Sequence, residues 1–120
     1  MTNNVRGVLT QEIDGETHTL CLSANEWCDL EEEHGKSTVQ ILKAFQEMAG
    51  KEDLDMRFLR SMFRAALSYG KPGITHAEAG RLMQSCGLVE AATLVGRVAM
   101  LSLPEEKPTG KPAGTKAKAT

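Results

Sequence analysis

Aromatic side chains are scarce in this chain: one Trp, one Tyr and three Phe among 120 residues, or 4%. Its core must therefore be filled mainly by aliphatic and Met side chains. Proline is almost confined to the end, with Pro104, Pro108 and Pro112 following the single internal Pro72. Net charge is low, at −2, and no apolar run is long enough to cross a bilayer. Three cysteines, Cys21, Cys28 and Cys86, are too few and too widely spaced for a disulfide scaffold. They also lack the paired C-x₂₋₄-C knuckles of structural zinc sites, even with His18, His34 and His76 available, so no metal or other cofactor is expected. The opening Met-Thr-Asn-Asn-Val-Arg has no apolar translocation segment, which predicts a reducing cytoplasm with free thiols.

What is present reads as one α+β domain over 1–103 and a tail over 104–120. The 41% hydrophobic content suits one ordinary domain, and area scaling lets a chain of this length bury about two-thirds of its surface. The tail mixes Pro, Gly, Thr, Lys and Ala without a large apolar group, so nothing in it offsets the entropy of ordering, and a disordered segment is predicted. Charge divides along the same boundary. Residues 1–103 hold ten Lys/Arg against fourteen Asp/Glu, and 104–120 hold four Lys against two Glu. An acidic body is a poor match for phosphate backbones, whose binding comes largely from Lys and Arg releasing counterions.

The domain opens with strand candidates Val5–Ile13 and Glu16–Leu22 around Asp14-Gly15, a pair suited to the two positive-φ positions of a type I′ hairpin. About five short helices follow. Ser23 with Glu26 has capping-box spacing and opens a helix carrying Trp27 and Leu30, which Gly35 should stop. Ser37 with Gln40 opens the next, whose stripe of Ile41, Leu42, Phe45, Met48 and Ala49 is expected to stop at Gly50. Asp53 or Asp55 caps a third, with Leu59, Met62, Phe63, Ala66 and Leu67 on one face. Thr75 with Glu78 caps a fourth that runs to Cys86-Gly87. The fifth, Leu88–Leu101, is apolar nearly all round, which predicts a central position or a partner.

No grouping suggests catalysis. Asp29, Glu31, Glu32 and Glu33 fan out around a helix by about 100° each, so they read as a solvated face or an acidic docking patch rather than an acid/base pair. Arg57, Arg60 and Arg64 form a basic stripe suited to ion pairs or an anionic partner. The 73–87 segment lacks the acidic ligands of a calcium loop and is thin in base-reading side chains. Six methionines fit either an aromatic-poor core or a promiscuous helix-binding groove.

The order of features carries a resemblance. Arg6-Gly7 leads into the Asp14-Gly15 turn and Thr17-His18-Thr19-Leu20; Leu30-Glu31, Gly35, Phe58-Leu59-Arg60, Ala65-Ala66-Leu67, Thr75-x-x-Glu78 and Gly87-Leu88 follow. Over Val5–Leu101 this resembles the small tail assembly chaperones of gene transfer agents and siphophage-like tail operons. The resemblance implies a non-enzymatic virion-assembly factor, of bacteriophage or prophage type, that binds the tape-measure protein and keeps it soluble until the tail tube polymerises. A tail tube subunit and further copies of the chain itself are its secondary partner expectations; membrane and nucleic acid are not expected. Helix-in-groove docking on Leu59, Met62 and Phe63 of the third helix and Val95, Val98 and Leu101 of the last is the expected mode. Two other readings compete: a structural tail or head-tail component retained in the particle, and a small helix-turn-helix-like DNA-binding regulator using 57–86.

Overall fold

A computed structural model describes residues 7–51 and 53–102. The fold is α+β: strands β1 (Leu9–Ile13) and β2 (Glu16–Leu20), then helices α1 (Ala24–His34), α2 (Thr38–Lys51), α3 (Met56–Ser68), α4 (His76–Cys86) and α5 (Leu88–Ser102). The expected residues 1–6 and the tail 104–120 lie outside the described residues. The strands are antiparallel and shorter than their candidates, pairing Leu9 with Leu20 and Ile13 with Glu16. Asp14 and Gly15 both take positive φ, 55° and 79°, as the type I′ turn requires.

Local chemistry sets the helix boundaries. The Ser23 amide donates to Glu26 Oε1 at 2.9 Å, and the Ser23 hydroxyl bonds the same carboxylate. Gly35 ends α1 in the left-handed region, its N–H donating to the Glu31 carbonyl. The Ser37 amide likewise donates to Gln40 Oε1. Of the two candidate caps for α3, Asp55 is the one used: its Oδ1 accepts from the Phe58 amide at 3.2 Å. Thr75 and Glu78 exchange the bonds of a capping box at the start of α4. Gly50 does not stop α2, which runs on through Lys51. A helical Gly costs only about 1 kcal/mol relative to Ala, and Ile41, Phe45 and Met48 anchor the preceding turns.

The centre of the domain is α3, not the more uniformly apolar α5. It packs against α1, α4, α5 and β2, and buries Leu59, Ser61, Met62, Phe63, Ala65, Ala66 and Leu67. Around it lie Leu20 and Leu22 from the hairpin strand and its exit, Trp27 and Leu30 from α1, Met83 from α4, and Leu94, Val95 and Val98 from α5. Two contacts tie the hairpin to this frame. The Cys21 amide donates to the Ala66 carbonyl, and Gly70 passes so near Thr19 that a Cβ on it would lie 2.9 Å from Thr19 Cβ. At the far end of α5, Ser102 Oγ accepts from the Leu22 amide, bringing the last described residue back to the start of α1. No single described helix is long and apolar enough to cross a membrane.

Candidate functional site: a groove between the first three helices

The expected docking side chains are mostly interior. Leu59, Met62 and Phe63 of α3 and Val95 and Val98 of α5 are fully buried; only Leu101 reaches solvent, at 47% exposed. Five of the six therefore cannot present a docking face without opening the core. They lie on the strongest amphipathic stripes, and the monomer itself covers those stripes first because burial there is intramolecular.

The surface offers a different feature. The C-terminal end of α1, the length of α2 and the N-terminal turn of α3 enclose an open groove of about 570 Å³. Ile41, Ala44 and Met48 of α2 and Phe58 of α3 supply its apolar lining. Its charged residues are of both signs: Glu33, Glu47, Asp53 and Asp55 against Lys36, Lys51 and Arg57. The groove exists because α2 packs on α1 and leaves the first turn of α3 uncovered. The Asp55 amide donates to Met48 Sδ at 3.2 Å, so the same residue both caps α3 and joins it to the end of α2.

The wall near α1 is rigidly built. His34 stands edge-on to Phe58 with ring centroids 5.4 Å apart, and its Nε2 lies 2.9 Å from Ser61 Oγ. A Ser–His contact invites a nucleophile reading. However, Ser61 is 2% exposed in the middle of α3, where no substrate carbonyl can approach, so the pair locks α1 onto α3. Beside it, Glu33 meets two side chains: Arg64 Nη2 at 3.9 Å and His76 Nε2 at 3.3 Å. Glu31 accepts from both the amide and the hydroxyl of Thr38 at 2.8 Å, bracing the α1–α2 turn. Two members of the acidic α1 cluster thus hold neighbouring elements, and the cluster is not a single patch.

The basic stripe is also divided. Arg57 is exposed at the groove, Arg64 reaches Glu33, and the Arg60 stem lies over Gly80 of α4, 3.4 Å from where a Cβ would stand. The thiols separate by environment. Burial pushes Cys21 above its ordinary pKa, with the negative Glu26 adding to the rise, while Cys28 is exposed rather than packed inside. Cys86, half-buried at the end of α4, is also raised, first by burial and then by Glu90. Both raised thiols stay protonated at neutral pH and are poor nucleophiles or ligands.

Sequence reasoning missed the groove because its floor draws on residues assigned to the core stripe of α2, Ile41 and Met48, together with Phe58, which lies off the main face of α3. The one sequence signal was Phe58, an aromatic side chain offset from the main face of α3. Comparison with protein-family models, with curated proteins and with solved structures returned no match for this chain.

Proposed function

We propose that the chain is a tail assembly chaperone that holds helical segments of a tape-measure protein in the groove between α1, α2 and α3 until the tail tube polymerises around them. The observation that carries this reading is the groove itself, whose accessible apolar surface is the half-buried Ala44 and Phe58 over the buried Ile41 and Met48, with a charged rim of both signs. An extended, helical tape-measure chain exposes apolar stripes flanked by charge of either sign. The floor would take the stripe and the rim would satisfy the flanks. At about 570 Å³ the groove accepts the side chains of one or two helical turns, so each contact is weak. Many weak contacts in register along one long chain still give high occupancy, and each can be displaced singly by an arriving tube subunit. The ordered resemblance from Arg6-Gly7 to Gly87-Leu88 supports the same reading. On this proposal the protein acts by covering surface, in the host cytoplasm, and has no catalytic step.

Co-expression with the tape-measure protein of the same operon tests it. The tape-measure protein is expected in the soluble fraction with the wild-type chain and in the pellet with Ala44→Arg, which fills the groove from a half-buried position. A tape-measure protein equally soluble without this chain would refute the proposal. A stoichiometric band of this chain in purified tails would instead favour a retained structural component.

A further inference from the structure

Helix α2 has the fewest neighbours of the five. It packs extensively against α1 alone, whereas each of the other described elements has at least two such partners. It buries three side chains in fourteen residues, Ile41, Phe45 and Met48, where α3 buries seven in thirteen. Helix α4 buries fewer still, yet α3, α5 and β1 all hold it. On the core side of α2, Phe45 also reaches α5, its ring 3.5 Å from where a Cβ on Gly96 would stand. The rest of the domain does not depend on α2 for its connections. Helix α1 stays on α3 through buried Leu30 and the His34–Ser61 bond, and α3 packs independently on α4, α5 and β2.

Both ends of α2 are joints held by few bonds. Between α1 and α2, Gly35 takes φ 66°, in the left-handed region, and the exposed Glu31 carboxylate accepts from the Thr38 amide and hydroxyl. Between α2 and α3, the Asp53 amide donates to the Met48 carbonyl at 3.2 Å and the Asp55 amide to Met48 Sδ. A thioether is a weak acceptor, and bonds to an exposed carboxylate are readily traded for bonds to water. Few buried apolar side chains and solvent-exposed supporting bonds make a segment open at low cost. Ile41, Phe45 and Met48 stand at i, i+4 and i+7 on one face of the helix, so they leave or return together.

We infer that α2 is the movable wall of the groove: it opens as one cooperative unit while the hairpin, α1, α3, α4 and α5 stay folded. The closed groove presents only half-buried Ala44 and Phe58 as accessible apolar surface. Opening uncovers Ile41, Phe45 and Met48, together with the seat they leave on α1 and α5. A helix with large apolar residues at i, i+4 and i+7 matches that seat, because α2 itself fills it with that pattern. The gating role rests on the reading of this groove as the docking site, but the opening belongs to the chain alone and its test uses no partner.

Native-state hydrogen exchange of the full chain, read amide by amide by NMR, gives the test. The amides of α2 are expected to exchange about a hundredfold faster than those of α3, and to merge onto one rate in low urea as a single unit opens. Met83→Ala, in buried α4 packing, should speed α3 exchange about thirtyfold by weakening the frame, yet leave α2 exchange within about twofold of wild type. Ile74→Val, a milder change in the same frame, should act the same way by about fivefold on α3, and serves where Met83→Ala does not fold. Phe45→Ala should instead speed both helices by one factor, since global unfolding includes the opening of α2. Amides of α2 that exchange no faster than those of α3 overturn the inference. Frame variants that speed both helices equally overturn it too, as do α2 rates that fall from the ends inward and never merge in urea, which is fraying. None of these results bears on whether the tape-measure protein is soluble on co-expression, so the two readings fail separately.

Discussion

The two most apolar helices, α3 and α5, have opposite fates. Helix α3 carries three arginines in thirteen residues yet buries seven side chains at the centre of the domain. Helix α5 carries one acidic and one basic residue in fifteen, yet buries only five and leaves Leu88, Val89, Met100 and Leu101 in water. The difference is pattern rather than total apolarity. On α3 the apolar residues form a wide continuous face with the charges opposite, so one orientation is far better than any other. On α5 they surround the helix, and the neighbours, chiefly α3 and α4 with Phe45 of α2 reaching Gly96, cover only part of its circumference. Sharp amphipathicity marks the core helix; apolar surplus marks the helix with surface to spare.

That contrast is broken or sharpened most strongly by truncation. Phe63→Ala on α3 should cost about 3–5 kcal/mol, a large share of a small domain's stability, whereas Met100→Ala on α5 should stay within about 0.5 kcal/mol. Urea denaturation of both variants decides it; equal losses would mean that α5's outer face is packed within the monomer. Glycine gives the next largest effect. Gly70→Ala should destabilise by about 1–3 kcal/mol because its Cβ would meet Thr19 at 2.9 Å, which forces the hairpin away from the end of α3. Gly96→Ala on α5 should instead stabilise by up to about 1 kcal/mol, since its Cβ would sit 3.5 Å from Phe45 in ordinary contact while helix propensity improves.

A smaller effect separates α4 from both. Glu78 is held below its ordinary pKa, first by the Thr75 amide of the capping box and also by nearby Lys71 and Arg81. Its stabilising contribution is therefore complete above the ordinary carboxylate pKa and is lost as pH falls through the depressed value. Acid titration followed by amide exchange should show the first turn of α4 loosening, and Glu78→Gln should flatten that pH dependence. The smallest effect is chemical. Alkylation at neutral pH should modify exposed Cys28 well before Cys21 or Cys86, whose thiols burial keeps protonated. Mass spectrometry of a time course reads the order directly, and early labelling of Cys21 would show that the hairpin–α3 junction opens readily.

Most helix starts and the hairpin were legible along the chain because they depend on neighbours three residues apart or fewer. Ser23 with Glu26, Ser37 with Gln40, Thr75 with Glu78 and Asp14-Gly15 each do in the fold what their spacing implies. Gly50 misled, since one glycine is too small a penalty to stop a helix whose buried side chains already hold it. The docking residues misled for a related reason. Leu59, Met62, Phe63, Val95 and Val98 announce themselves by apolar periodicity, and periodicity marks what will be covered without saying by what. The groove was illegible because it is a gap between α2 and α3, set by how two helices lean on a third, and no single segment encodes it.

Local chemistry written in order along the chain thus determined the class of fold, the turn, the caps and which faces are apolar, because those energies are set within a few residues. Tertiary packing alone decided that α3 would be central, that Ser61 would face His34, that Glu33 would gather Arg64 and His76, and that α5 would keep an apolar face in water. Each of these depends on competition between distant segments for a limited interior. A helix is buried on the side where neighbours fit, and its own sequence does not specify the neighbours.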